Sequence, residues 1–255
     1  MNGYKGLLRY SSYVLFVGGL LYGMLVLGRN LPGGLYLSIV PDANSQLTTS
    51  EYSLVEMLQN ILITFCCLVF AWIATRDRLR RPLAVGIASL FALFLVRELD
   101  FFLDRNVADN FWQVLAVLIT ATSSVYVYRH RKRLETGWYR SWPSAGMALM
   151  IAGLIILIPF AQLAANDGMW RIILGEDYVR AAKLATEELM ELGGYFLLVI
   201  GTLEFLYAWS RLPETRTIEP VYKRGRRRRK RTAKAGSDSA RPDKPRSGRT
   251  LFRFR

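Results

Sequence analysis

The stretch from Pro82 to Asp104 reads PLAVGIASLFALFLVRELDFFLD, and it decides how the rest of the chain is interpreted. Its first part is apolar enough for a membrane helix, but four charged residues follow it: Arg97, Glu98, Asp100 and Asp104. Each charge costs about 2.5–3.5 kcal/mol in the middle of the hydrocarbon layer, so these side chains need partners or water. The stretch therefore predicts a membrane helix over 82–104 that ends in a polar segment.

The charges of this predicted helix are concentrated on one face. Successive residues of a helix are rotated by about 100°, so Arg97, Asp100 and Asp104 fall within a stripe roughly 60° wide. Glu98 projects away from that stripe. A polar face at the end of an apolar helix indicates contact with polar groups of other helices or with water.

The composition extends this interpretation to the whole chain. Of the 255 residues, 52% are hydrophobic, and the apolar runs are long enough for helices that cross a bilayer. The predicted fold class is all-α, a polytopic membrane bundle of six transmembrane helices. The predicted spans are residues 11–28, 53–74, 82–104, 110–128, 145–165 and 188–210.

The last part of the chain has a different composition. Residues 212–255 contain 16 Lys and Arg against 4 Asp and Glu, so they hold most of the formal net charge of +14. Too few apolar residues remain there to form a core, which predicts disorder. We therefore divide the chain into a six-helix transmembrane domain, 1–211, and a disordered polybasic cytoplasmic tail, 212–255.

Basic residues are distributed unevenly between the connections of the predicted helices. The N-terminus, two alternate loops and the tail together carry 28 Lys and Arg, while the other three loops carry 5. Because basic segments stay on the cytoplasmic side, this difference predicts that both termini are cytoplasmic. We expect a multi-pass protein of the bacterial inner (cytoplasmic) membrane.

This topology places acidic groups from three helices at the same depth, near the outer surface. The second and sixth predicted helices begin there, and the third ends there. Ionisable groups are rare inside membranes, so several at one depth indicate a polar cluster open to the outside. The candidate residues of this ligand or ion cluster are Glu56, Gln59, Arg97, Glu98, Asp100, Asp104, Glu188 and Glu191.

The chemistry of the cluster is compatible with several ligands. Carboxylate and amide oxygens suit a hard cation such as Ca²⁺ or Mg²⁺, and crowded carboxylates can also exchange protons. The sequence leaves the metal open and predicts no other cofactor. Two structural alternatives remain: the charges lie scattered among lipid headgroups, or Arg97 pairs with neighbouring carboxylates and fixes the helix register.

The sequence argues against histidine-based catalysis. Its one histidine, His130, lies in a basic loop, which excludes zinc-protease motifs and nucleophilic triads that contain histidine. The pair Glu187-Glu188 resembles the EExxxR element of CAAX-type intramembrane proteases, but Leu192 occupies the arginine position and the histidines of that family are missing. We assign no catalytic residue.

Three functions stay open at this point. The first is binding or transport of a cation, a proton or a cationic substrate by the acidic cluster. The second is a non-catalytic membrane scaffold or accessory subunit, with another membrane protein as its partner. The third is a transferase or hydrolase that uses carboxylates as acid and base, and it is the least favoured because no positive signal supports it.

The tail adds a predicted lipid partner. The segment RGRRRRKR at 224–231 follows a membrane helix, where each basic residue gains roughly 1 kcal/mol from anionic headgroups. The composition disfavours nucleic acid as a partner, because Phe252 and Phe254 are the only aromatic residues beyond Arg224 that could stack on bases. The residues predicted to contact headgroups are Arg224, Arg226, Arg227, Arg228, Arg229, Lys230 and Arg231.

Overall fold

The computed structural model of the protein describes residues 2–30, 39–41, 47–49, 53–142 and 144–210. Most of these residues are helical. The others form short connections and two three-residue antiparallel strands, β1 (Ile39–Pro41) and β2 (Leu47–Thr49), in which Val40 is paired with Thr48. The chain divides into two units, Met1–Arg211 and Leu212–Arg255. The predicted disorder and lipid contacts of the second unit lie outside the described residues, and the helices below all belong to the first.

Ten α-helices are described. They are α1 (Asn2–Asn30), α2 (Leu54–Arg76), α3 (Arg81–Glu98), α4 (Asp100–Asn106), α5 (Phe111–Arg129), α6 (Arg131–Ser141), α7 (Ala145–Ile155), α8 (Ala161–Ala164), α9 (Asp167–Leu174) and α10 (Arg180–Ser210). A π-helical turn, Ile156–Phe160, joins α7 to α8, and a 3₁₀ turn, Gly175–Asp177, follows α9.

The lengths and hydropathy of these helices agree with the predicted spans. Five helices are long and apolar enough to cross a membrane, and the number is six if the bent pair of α3 and α4 counts as one span. The prediction of an all-helical fold with helices of membrane length is confirmed, and the predicted number of six is reached only if α3 and α4 form one span. Its insertion into a membrane and its orientation stay predictions.

The predicted third span is wrong in its last part. Instead of one helix over 82–104, α3 ends at Glu98, and α4 begins at Asp100 at an angle of 62°. The break lies at Leu99, whose φ of −99° and ψ of 10° leave the helical region. Asp100 then lies in the first turn of a new helix, where the helix dipole favours a carboxylate. The proposed stripe of Arg97, Asp100 and Asp104 on one helix therefore does not exist.

Other boundaries also differ from the predicted ones. The last helix begins at Arg180, eight residues before the predicted start at 188. Between the fourth and fifth spans the chain forms α6, where the sequence predicted only a loop. Pro159 lies inside the π-helical turn, which accommodates the missing backbone donor of proline.

The core lies between α2, α3, α7 and α10. Phe70 of α2 is at its centre, with ring centroids 5.7 Å from Phe91 of α3 and 5.2 Å from Phe205 of α10. Helix α5 packs against α3 on the outside of this core. Helix α1 covers it through Val17 and Leu20, while the membrane-length segment of α1 has no buried residues.

Glycines bring α7 and α10 into backbone contact. A Cβ atom added to Gly146 of α7 would lie 2.7 Å from the carbonyl oxygen of Gly201, and one added to Gly153 would lie 2.9 Å from the carbonyl oxygen of Gly194. Each helix thus supplies two glycines seven residues apart, a spacing that repeats the same face after two turns. Because any side chain there would collide with backbone, α10 is held in one rotation, which directs its polar face toward α2 and α3.

The polar contacts show how the helices run. Gln59 near the start of α2 bonds to Glu188 early in α10, and Trp209 near the end of α10 donates to Asp77 just after α2. Helices α2 and α10 therefore run in the same direction, and α3, which follows α2 after a short turn, runs against them. Each end of this three-helix unit holds its own set of charged side chains.

Candidate functional site

We call the first set the acidic end. It contains the polar side chains that α2, α3 and α10 bring together around one arginine, and one of its members, Tyr195, was not among the predicted site residues. Its residues are Gln59, Arg97, Glu98, Glu188, Glu191 and Tyr195.

Arg97 and Glu191 form the ion pair of the acidic end. The Nη2 atom of Arg97 lies 3.0 Å from Oε1 of Glu191, across the interface of α3 and α10. The Glu191 side chain is only 7% exposed, whereas that of Arg97 is 44% exposed. The guanidinium thus reaches from the edge of the bundle to a buried carboxylate.

Glu98 accepts a hydrogen bond from the hydroxyl of Tyr195 over 2.6 Å. Tyr195 is fully buried, and Phe94 of α3 contacts its ring edge-on at a centroid distance of 6.5 Å. The sequence did contain a signal for this tyrosine, because it follows Glu191 by four residues and so lies on the same face of α10. Which acceptor its hydroxyl would meet depends on the rotation of α3, which the pattern does not define.

Gln59 connects α2 to the same network. Its Nε2 atom donates to the backbone carbonyl of Glu188 and to Oε2 of the same residue, both over 3.2 Å. The side chain is completely buried, yet its Oε1 atom accepts no hydrogen bond within the described part of the chain. An amide oxygen that is buried in this way is an acceptor available to a further donor or a cation.

The structure places the other three predicted residues differently. Glu56 is buried in the first turn of α2, one turn before Gln59, and the hydroxyl of Ser53 caps its backbone N–H. Asp100 and Asp104 lie on α4, and neither carboxyl has an ion-pair partner among the described residues. The two aspartates are therefore not joined to the ion pair of Arg97.

The acidic end has an excess of negative charge. Glu188 and Glu191 both lie close enough to Glu98 to repel its charge, and Arg97 is the guanidinium that attracts it. The neighbouring Lys183 is engaged elsewhere, 3.4 Å from Asp167 and 3.8 Å from Glu187. Two carboxyl groups, those of Glu98 and Glu191, thus lie beside Arg97, and the carboxyl of Glu188, which accepts a hydrogen bond from Gln59, adds to their repulsion.

The geometry favours some ligands over others. Among the residues that the structure describes, no three His, Cys, Asp or Glu side chains are grouped so that they could hold a metal ion. Ca²⁺ takes six to eight oxygen ligands and Mg²⁺ demands six in an octahedron. The described residues of the acidic end therefore do not supply the set of oxygen ligands that Ca²⁺ or Mg²⁺ needs, and the predicted Ca²⁺ or Mg²⁺ stays a prediction.

We call the second set of charges the paired end. Here Asp77 accepts four hydrogen bonds: from the backbone N–H of Leu79 and Arg80 at 2.9 and 3.1 Å, from Nη1 of Arg80 at 2.8 Å, and from the indole of Trp209 at 3.1 Å. Burial by itself would raise the pKa of Asp77, but these donors outweigh it and hold the pKa below its usual value. The Nε atom of Arg80 in turn donates to Ser141 of α6.

Glu204 of α10 completes the paired end. Its Oε1 atom lies 2.6 Å from Nε of Arg9 and 3.0 Å from the hydroxyl of Tyr13, both on α1. The guanidinium of Arg9 also lies over the ring of Tyr207, 4.1 Å from its centroid. These contacts attach α1 to α10, and each carboxylate of the paired end has its own arginine.

Two surface pockets stand out, and both lie away from the acidic end. One is a shallow depression on α5 that includes Tyr126 and His130, whose Nδ1 donates to the carbonyl of Tyr126 at 2.8 Å. The other is a groove between α3, α5 and α6. Neither is lined by a residue of the acidic end.

Comparison of the chain with protein-family models, with curated proteins and with solved structures gives no match.

Proposed function

We propose that the protein is a multi-pass integral membrane protein whose acidic end binds a proton, or a small cation in its place, from the outer side of a bacterial inner membrane. Support for the membrane comes from the five or six helices of membrane length. Support for the orientation comes from the 28 Lys and Arg assigned to one side against 5 on the other. In this orientation the paired end is cytoplasmic, together with both termini.

The observation that carries the proposal is the presence of two carboxyl groups, Glu98 and Glu191, beside the one guanidinium of Arg97. If both carboxyls were ionised, the net charge of the three groups would be negative, and the Glu191 side chain is only 7% exposed. Excess charge on buried carboxyls is costly. A bound proton or cation restores the balance.

The remaining contacts suit a proton. The carboxyl of Glu98 meets a hydroxyl donor, Tyr195, and the free amide oxygen of Gln59 is an acceptor within the same network. Donors and acceptors of this kind can rearrange around a carboxyl that gains or loses a proton. A cationic substrate would use the same excess charge and is an alternative ligand of the same site.

Melting temperatures of the detergent-solubilised full chain test this proposal. Loss of the bound proton leaves like charges together, so the melting temperature of wild type should fall as the pH rises through the neutral range. Glu98→Gln and Glu188→Gln should flatten that dependence, whereas Asp109→Asn, an exposed carboxyl on the loop before α5, should leave it unchanged. If sodium replaces the proton, added sodium should restore stability at high pH by mass action, and Ca²⁺, Mg²⁺ or a chelator should have no effect. A flat profile for wild type would contradict the proposal.

A membrane scaffold or accessory subunit is the second candidate. It is favoured by the closed contacts of the acidic end, where Arg97 meets Glu191, Tyr195 meets Glu98 and Gln59 meets Glu188. In a scaffold the same glutamine substitutions change stability or the recovery of a membrane-protein partner to the same extent at every pH and salt concentration.

A carboxylate-dependent transferase or hydrolase is a weaker candidate, since the carboxylates of the acidic end line neither pocket. The lipid contacts of residues 224–231 stay a prediction about a segment outside the described residues.

A further inference from the structure

The groove between α3, α5 and α6 has the shape of a lipid-chain site. It has a volume of about 420 Å³. One wall is a row of α3 side chains at intervals of three and four residues, which lie on a single face of the helix. Its apolar lining residues are Leu83, Gly86, Ile87, Leu90, Val127 and Leu134.

The groove extends from one end of the bundle toward the membrane interior. Leu83 is close to the start of α3, and Leu90 lies seven residues further along. At 1.5 Å per residue this distance is about 10 Å, enough to hold a substantial part of an acyl chain parallel to the helices. Gly86 keeps the floor of the groove low, because the nearest atom to an added Cβ is a methyl group of Val127 at 3.8 Å.

Charged and aromatic residues of α6 form the mouth of the groove. Arg131, Glu135, Trp138 and Tyr139 line it, and the side chains of Trp138 and Tyr139 are exposed. The chain from 129 to 140 carries five Lys and Arg against one glutamate, Glu135. This end of the bundle is the one assigned to the cytoplasmic surface, where tryptophan and tyrosine favour the headgroup level and anionic lipids are attracted by basic residues.

Helix α6 is held in position beside the groove. Gly137 packs against the start of α3, where an added Cβ would lie 3.5 Å from the carbonyl oxygen of Leu79, and Ser141 accepts a hydrogen bond from Arg80. The guanidinium of Arg131 lies 5.2 Å from the ring centroid of Tyr128 on α5, which places it at the junction of α5 and α6. The position of α6 beside the groove is therefore fixed by its contacts with the start of α3.

We propose that this groove binds one anionic phospholipid of the cytoplasmic leaflet, with an acyl chain along α3 and α5 and the phosphate at Arg131. The inference rests on the membrane placement and orientation given above, but it is independent of proton binding at the acidic end. An apolar chain fits the lining of the groove. A phosphate complements Arg131 and the net positive charge of residues 129–140 around the mouth, where five Lys and Arg outnumber Glu135.

Native mass spectrometry of the detergent-purified full chain tests the proposal. The probes are phosphatidylglycerol and phosphatidylcholine with identical acyl chains, added in graded amounts. Wild type should bind one phosphatidylglycerol about tenfold more tightly than phosphatidylcholine, because the choline cation of phosphatidylcholine offsets the phosphate charge that Arg131 and the neighbouring basic residues attract. Arg131→Gln should remove this preference, whereas Arg140→Gln, on the same helix but outside the groove, should retain it. Equal losses in the two variants would overturn the proposal, because they would show diffuse attraction to a basic surface.

A second pair of variants tests the apolar part of the groove. Leu90→Trp and Gly86→Leu each fill it, so both should weaken phosphatidylglycerol and phosphatidylcholine alike while the melting temperature of the lipid-free protein stays near that of wild type. Lipid binding that is unchanged in a folded filling variant would overturn the proposal. Glu98→Gln should bind phosphatidylglycerol as wild type does, so a failure of proton binding and a failure of lipid binding can be told apart.

Discussion

The two ends of the three-helix unit solve the same physical problem in different ways. Both bury carboxylates next to arginine and tyrosine or tryptophan, about 25 Å apart along α2 at 1.5 Å per residue. At the paired end, Asp77 and Glu204 each have their own arginine, and Asp77 accepts four hydrogen bonds. At the acidic end, two carboxyls, those of Glu98 and Glu191, lie beside Arg97. Balanced charges hold the helices together at the paired end, whereas we propose that the excess charge at the acidic end is balanced by a bound proton or cation.

The two ends also differ in the hydrogen bonds of their uncharged side chains, as the buried amide of Gln59 shows. At the paired end, the indole of Trp209 and the hydroxyl of Tyr13 both donate to carboxylates that arginines already neutralise. At the acidic end, the Oε1 atom of Gln59 is buried without a hydrogen bond among the described residues. Among the described residues, Nε of Arg9 at the paired end also lacks a hydrogen bond, but it lies 2.6 Å from the carboxylate of Glu204, whereas no charged partner lies beside Oε1 of Gln59 in that part of the chain.

The largest effect is expected at the paired end. Asp77→Ala removes the acceptor of four hydrogen bonds and leaves the buried Arg80 without its carboxylate, so we expect a loss of about 3–5 kcal/mol in the free energy of unfolding. Equilibrium unfolding in mixed detergent measures it. Asp109→Ala, on an exposed loop, is the matched control and should change the free energy of unfolding by less than about 0.5 kcal/mol. Similar values for the two variants would mean that the contacts of Asp77 do not stabilise the fold.

Substitution of Arg97 should have a smaller effect. Its side chain is 44% exposed and water screens its charge, so Arg97→Ala should cost about 1–2 kcal/mol, less than the 3–5 kcal/mol of a fully buried pair. The loss should grow as the pH rises, because the carboxyls of the acidic end then face each other without a cation. A loss equal to that of Asp77→Ala at every pH would show that the two ends do not differ.

The smallest effect is expected for the stability difference between wild type and Asp77→Asn as the pH is lowered. The pKa of Asp77 is held below its usual value of 3.8, so its stabilising contribution is complete above that value and is lost as the pH falls through the lowered pKa. Asp77→Asn should therefore be less stable than wild type at neutral pH, and the difference should shrink below about pH 4. Melting temperatures between neutral and acidic pH measure the difference. A difference that stays constant with pH would contradict the assigned charge of Asp77.

Much of the helical organisation can be read from the chain, because a run of about twenty apolar residues has few alternatives in lipid. The break at Leu99 could not be predicted in this way. Residues 97–104 contain no proline or glycine, and their charges continue the periodicity of a helix, so nothing local indicates that α4 turns away by 62°. Helix α6 was missed for a related reason: its polar sequence resembles a loop, and Gly137 packs against α3 only in the folded protein.

The candidate site could be predicted in part. The sequence predicted that five polar residues lie at one depth of the membrane, and the structure brings these five together. They are Gln59, Arg97, Glu98, Glu188 and Glu191. Their pairing was beyond the sequence, because it depends on the rotation of α10, which its glycine contacts with α7 determine. Tyr195 was missed as the partner of Glu98 because that contact also depends on the rotation of α3, which the sequence pattern does not define.

The central claim is that the excess carboxyls of the acidic end hold an exchangeable proton. Infrared difference spectroscopy of the full chain in lipid, titrated with pH, measures it directly, because a protonated carboxyl and a carboxylate absorb at separate frequencies. We predict a carboxyl band in wild type that disappears as the pH rises, persists in Asp109→Asn and is lost or shifted in Glu98→Gln. Two results would contradict the account: a wild-type spectrum without such a band, or a band that is the same as that of wild type in both Glu98→Gln and Glu188→Gln.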